Sequence, residues 1–265
     1  MKCRGALLLG IVGALIVATL FIHRIPQAEA YHNFADQRMM LGVPNCLDVA
    51  SNALFLFVEA LGILQILLGG QGGAINFIDS RERWPWLMFF AAVAITAFGS
   101  AYYHLNPNDH TLVWDRLPMA IGFMALLGAV ISERINVAIG LWLLGPLAVC
   151  GAASVFWWSI TQARGDGDLR PYALVQFGSV VVLLFALALY SPRYTRGADF
   201  ILSFVIYGIA KVFEAADHPI YALGHIVSGH MLKHIAAAIS AYWLLRMLQM
   251  RKPANLFRET ETNPA

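Results

Sequence analysis

The chain has 265 residues, 59% of them hydrophobic and 13% charged, with a formal net charge of +2. That balance excludes an ordinary soluble globular domain and leaves room for about seven or eight membrane-spanning helices of roughly 20 apolar residues each. The few basic residues are dispersed, which excludes a nucleic-acid footprint, and Cys3, Cys46 and Cys150 form neither a disulfide framework nor a CxxC metal knuckle.

Residues 1–30 join a basic start, an apolar run from Gly5 to Ile22 and the small-x-small triplet Ala28-Glu29-Ala30. They read equally as a signal peptide or as a signal-anchor helix, and both leave the following segment on the outer face. Tyr31 to Leu47 is a polar loop containing Asp36 and Asn45, with Asp48 just beyond it. A helix is expected from about Val49 to Leu68, followed by a glycine-rich turn at 69–73. No Gly-Lys-Ser/Thr ending follows, so the turn is not a phosphate loop.

The next span opens on the interfacial aromatics Trp84-Pro85-Trp86 and runs to about His104, where Asn106-Pro107-Asn108 breaks it. Further spans are expected at Leu112–Ile131, Val137–Ile160, Tyr172–Tyr190, Phe200–Phe213 and Ile220–Leu248. The reading is an all-α membrane protein: a signal or anchor helix at 1–30, a bundle of seven transmembrane helices at 31–250, and a polar cytoplasmic tail at 251–265. Alternate loops carry eleven Lys or Arg against four. This bias puts the C-terminus in the cytoplasm and the loops at Asn106 and Asp217 outside. The short outer loops and signal-like start fit a bacterial inner membrane.

Certain polar residues are out of place in lipid. His230 and His234 stand four apart, on one helix face. Ser100 and His104 form a second pair of this kind at the outer end of their helix, and Asp115 follows across a short turn. Any one of these residues alone reads as a packing residue, a cap or an ion-pair partner. Their joint occurrence at paired spacings reads as a metal site, because ionisable residues are costly to bury in a membrane. Three imidazoles from two helices suit Zn²⁺ and leave a fourth position for water. Asp115 would orient that water or accept its proton, and the Ser100 hydroxyl would donate to an oxyanion. The constellation reads as metal-assisted hydrolysis. The depth at which His104 meets the pair is open: either His104 lies deep, or the last helix begins late.

Other polar residues are assigned lesser roles. His225 is expected on the last helix but on a different face, as packing. Lys211 and Glu214 are expected to neutralise each other. Lys233, turned about 100° from each histidine, is expected to pair with Glu214 or an anionic substrate group rather than join the trio. His23, His32, His110 and His218 need no special role.

Together, Ser100-x-x-x-His104, the stretch Asp115-Arg116-Leu117-Pro118-Met119 and His230-x-x-x-His234 resemble the alkaline ceramidase family. That family belongs to a superfamily of seven-helix membrane hydrolases which includes the adiponectin-type receptors and Per1-like proteins. The resemblance runs from Ser51-Asn52 to about Leu245. It implies His104, His230 and His234 as zinc ligands, with Ser100 and Asp115 assisting cleavage of the ceramide amide to sphingoid base and fatty acid. It also implies an acidic N-terminal Ca²⁺ site. Here Asn45 stands where the family pattern has Glu, a departure that weakens the calcium expectation, although Asp36 and Asp48 can still supply oxygens. The partners implied are a ceramide-like lipid and the membrane. Two other classes compete: a non-catalytic receptor or sensor with structural zinc, and a metal or proton transporter.

Overall fold

The computed structural model describes residues 2–69, 75 and 77–254. Residues 70–73 of the glycine-rich turn and residues 255–265 of the tail lie outside the described residues. Every regular element among the described residues is helical: α1 (Lys2–Phe21), α2 (Cys46–Ser51), α3 (Ala53–Leu68), α4 (Arg83–Leu105), α5 (Asp109–Arg134), α6 (Val137–Ala163), α7 (Arg170–Ala173), α8 (Ser179–Leu189), α9 (Ala198–Ala215), α10 (Asp217–Tyr221) and α11 (Gly229–Met250). Short 3₁₀ turns at Glu29–His32 and Ser80–Glu82 and a π-helical turn at Leu174–Gly178 complete them.

This is a multi-pass membrane bundle. Among the described residues, six stretches are long and apolar enough to cross a bilayer: α1, α2 with α3, α4, α5, α6, and α7 with α8. The long helices α9 and α11 are not among them. They carry the side chains that hydropathy penalises, Asp199, Lys211 and Glu214 on α9, and His230, Lys233, His234 and Arg246 on α11.

Local signals set the helix ends. Asn108 caps α5 in a reciprocal box with Thr111, Asn136 caps α6, and Ser228 caps α11 by accepting from the Met231 N–H. The most buried span, α5, is central and packs against α4, α6 and α8. Ser203 and Ser240 tie α9 to α11, each hydroxyl donating to the other's carbonyl at 3.0 and 2.9 Å. Small residues and short hydrogen bonds of this kind hold helices together where lipid gives no hydrophobic drive. α1 stands at the edge, with Leu8 and Leu15 packed into the apolar core.

The last span differs from the expected Ile220–Leu248. Only Asp217–Tyr221 is helical in the first part, and the chain then turns before α11 starts at Gly229. His225 is exposed in that turn, with φ +54°, and is not a helix-packing residue. Hydropathy misplaces the boundary because Leu223 and Ile226 are apolar yet largely exposed, at 87% and 69%. The late start of α11 brings the three histidines to one level of the bundle. His230 and His234 occupy its first two turns, at the same end of the bundle as His104 in the last turn of α4.

Candidate metal centre

His104, His230 and His234 are each at most 3% exposed, and one ring nitrogen from each lies within 4.8 Å of the others. Ring centroids are 4.7 Å apart for His104 and His230, 5.0 Å for His104 and His234, and 4.9 Å for His230 and His234. The rings meet edge to face, so the trio surrounds one point rather than stacking. Both nitrogens of His104 and Nε2 of His234 are buried without a hydrogen-bond partner. Buried polar atoms are almost always satisfied, so unpartnered nitrogens on two of three adjoining buried imidazoles suit a bound cation. The group can hold a metal ion.

One proton assignment follows from geometry. Ser51 Oγ donates to the Asp48 carbonyl at 3.0 Å and lies 2.7 Å from His234 Nδ1. With the hydroxyl proton on the carbonyl, Oγ accepts from Nδ1–H, and His234 is then the tautomer with a bare Nε2 lone pair, the form that a metal at Nε2 requires.

Close backbone packing brings these side chains together. A Cβ on Gly99 would stand 2.0 Å from the Trp114 carbonyl oxygen. At that crossing α4 and α5 touch backbone to backbone, and the next residues on each chain are Ser100 and Asp115. Gly229 does the same for α11: a Cβ there would meet the Phe213 carbonyl at 2.3 Å and Asp217 Cα at 2.7 Å. The adjoining His230 N–H donates to Asp217 Oδ1 at 2.8 Å.

The segment before α2 covers the trio. Phe34 is buried, with its ring centroid 4.6 Å from His104 and 4.5 Å from His230. The Ala35 N–H donates to Asp217 Oδ2 at 2.9 Å, and Asn45 Nδ2 to the His104 carbonyl at 2.8 Å. Asn45 is thus a tie to α4. Asp36 is held by Arg38, whose Nε and Nη2 each donate to it at 2.7 Å. These hydrogen bonds keep its carboxyl below the usual carboxylate range. Asp48 Oδ1 accepts from Ser228 at 3.1 Å. The three-histidine group is the one cluster among the described residues that could hold a metal ion.

Ser100, Asp115 and His234 line one cavity of about 320 Å³. That volume falls within the roughly 300–1,000 Å³ of small-molecule sites. The rest of the wall is mostly apolar, including Phe89, Val93, Phe123, Leu126, Phe204 and Leu244. Asp115 does not pair with its neighbour, because Arg116 turns away to donate to Gln27 Oε1 at 2.5 Å. The chain matches no family model and no curated protein.

Lys211 and Glu214 pair as expected, and Lys233 reaches Glu214 at 3.0 Å. Lys233 also comes closer to the trio than its place on the helix suggests, with Nζ 3.1 Å from His230 Nε2. Its long stem bends back one turn, a reach that helix-face counting ignores. Coordination through that nitrogen requires the ammonium to release it, with the Glu214 carboxylate at hand to keep the charge paired. His32, given no role from sequence, bridges the Tyr103 hydroxyl at 2.9 Å and Asp109 at 3.1 Å. Sequence reasoning also missed Ser51, Asp217 and Phe34 as supports of the trio. Ser228-Gly229 ahead of His230 is a cap signal that was available to find the start of α11.

Proposed function

We propose that this chain is a zinc-dependent intramembrane hydrolase which cleaves the amide of ceramide or a related lipid to a sphingoid base and a fatty acid. In this reading the seven helical passes after α1 form the bundle, the histidine end faces outward and the C-terminus is cytoplasmic. The observation that carries the proposal is the meeting of three buried imidazoles, with orphaned ring nitrogens, beside an apolar chamber whose wall holds Ser100 and Asp115.

Three neutral imidazoles are a donor set that fits zinc. When bound, zinc supplies Lewis acidity and lowers the pKa of a water to about 7. The chain's own residues do the rest. Apolar walls seat the acyl chain and bring the amide carbonyl to the polar end. Asp115 takes a proton from the attacking water and gives it to the nitrogen as the C–N bond breaks. The Ser100 hydroxyl donates to the carbonyl oxygen as charge develops there. Phe34 keeps bulk water from the imidazoles, which strengthens each of these interactions.

The test pairs metal analysis with mass spectrometry of lipid products on wild type, His230→Ala and Asp115→Asn. The expected result is about one zinc per chain in wild type and Asp115→Asn, less in His230→Ala, and ceramide turnover in wild type alone. Unchanged zinc in His230→Ala overturns the ligand assignment. Zinc bound without cleavage of any lipid amide or ester favours a non-catalytic receptor.

A further inference from the structure

The chamber beside the histidines carries more positive charge than hydrolysis of a neutral lipid needs. Arg116, Lys211 and Lys233 line it against Asp115 and Glu214. Glu214 is oversubscribed: one oxygen takes Lys211, while the other accepts from Lys233 at 3.0 Å and the Tyr31 hydroxyl at 3.1 Å. One carboxylate therefore answers two ammonium groups, each with three donors to satisfy.

Arg116 adds a second, independent surplus. Its side chain lies 4.3 Å over the Trp158 ring and 5.0 Å over the Tyr172 ring, and the residue is 6% exposed. Nη2 is given to Gln27, but Nη1 is buried with no hydrogen-bond partner. A buried cation with an unmet donor is costly, and a ligand anion removes that cost. Lys233 fixes where such an anion would sit, because its Nζ is 3.1 Å from His230 Nε2. An anion on Lys233 lies next to the trio and relieves the ammonium's demand on that ring nitrogen.

We propose that the chamber takes an acyl lipid whose head carries a compact anion, a carboxylate or a phosphate monoester, within a few atoms of the acyl linkage. The inference rests on the reading of this chamber as the lipid site, and its test does not depend on bond cleavage.

Binding to the detergent-solubilised full chain is measured with probes that contain no amide or acyl ester bond. One pair is octadecyloxyacetic acid against octadecyloxyethanol; the other is octadecyl phosphate against octadecanol. At least one anionic probe is expected to bind about tenfold or more tightly than its neutral partner. A preference in the first pair alone identifies a carboxylate head, and in the second alone a phosphate head. Lys211→Met is expected to reduce the preference for the anionic probe. Its side chain is 32% exposed, so the variant keeps the buried packing that Arg116→Met puts at risk. Equal binding within both pairs overturns the proposal, as does a preference untouched by Lys211→Met. An anion preference in a protein that releases fatty acid from neither ceramide nor N-oleoylglycine leaves this inference standing and removes the hydrolase reading.

Discussion

Ser51 Oγ lies 2.7 Å from His234 Nδ1 and 3.0 Å from the Asp48 carbonyl, and with its proton on that carbonyl it holds the imidazole as an Nδ1–H donor. The relationship links the first helical turn after the N-terminal loop to the second turn of α11. Removing the hydroxyl frees the ring to rotate and to adopt the other tautomer. Ser51→Ala is expected to weaken metal binding about 10- to 100-fold with the fold retained. Ser51→Thr, which keeps an Oγ, should lose much less. Chelator competition on the purified variants reads both outcomes, and equal affinity in wild type and Ser51→Ala would show that the ring needs no such hold.

The crossing of α4 and α5 gives a second prediction. A methyl group on Gly99 has to displace the Trp114 backbone carbonyl, 2.0 Å away, and a backbone cannot turn aside as a side chain can. The helices must part, and Ser100 and Asp115 part with them. Gly99→Ala is expected to cost about 1–3 kcal/mol of stability and to abolish turnover. Gly122→Ala is the control, since its nearest neighbour would be Val93 Cγ2 at 3.6 Å, an ordinary contact. Thermal unfolding with parallel activity separates the two variants; equal behaviour would refute the argument from close packing.

Much of this architecture was legible in the chain because two physical patterns are local. Apolar runs of bilayer length fix most helices, and a spacing of four puts Ser100 with His104 and His230 with His234 on common faces. What failed depends on partners distant in sequence. An apolar surface turn such as Leu223 to Ile226 cannot be told from a membrane span by hydropathy, so α11 was begun too early. Phe34 sits in a segment without periodicity, and its place over the imidazoles is set by Asp217 gripping Ala35. Lys233 was assigned by the angle of its Cα, whereas a long flexible stem decides where its ammonium goes. The π turn at Leu174–Gly178, which carries the cavity residue Gln176, left no signal that was read.

Acid should loosen the cover over the site in a defined direction. Arg38 holds Asp36 with two hydrogen bonds and donates Nη2 to the Ile226 carbonyl at 2.7 Å, joining the N-terminal loop to the turn before α11. These bonds keep the Asp36 carboxyl below its ordinary value of 3.8. A depressed folded-state pKa contributes stability that is fully present above the ordinary value and is lost as pH falls through the lowered one. Docking should therefore be constant from pH 7 to about 4 and weaken below that. Hydrogen exchange of the Phe34 and Ala35 amides follows it directly. Asp36→Asn should exchange faster already at pH 7 and lose the acid dependence. Weakening that begins between pH 7 and 5 would point to another group.

The opposite end of the bundle tests whether fold and metal site are separable. There Glu133 accepts from Trp86 Nε1 at 2.7 Å and from Arg251 Nη1 at 2.5 Å, and Arg251 lies 3.9 Å over the Tyr194 ring. Tyr194 and Arg193 in turn hold Glu82, so the residue that caps α11 is fastened to the start of α4 and the end of α5. Both charged side chains of the Glu133–Arg251 pair are almost fully buried, at 4% and 1% exposure, and removing one partner strands the other. Arg251→Met is expected to cost about 3–5 kcal/mol, and adding Glu133→Gln should recover part of it by removing the stranded charge. Metal content per folded chain should not change in either variant, because His104, His230 and His234 lie at the other ends of α4 and α11. Thermal unfolding and metal analysis on the same samples decide the matter. Loss of metal without loss of stability in Arg251→Met would mean that the two ends communicate.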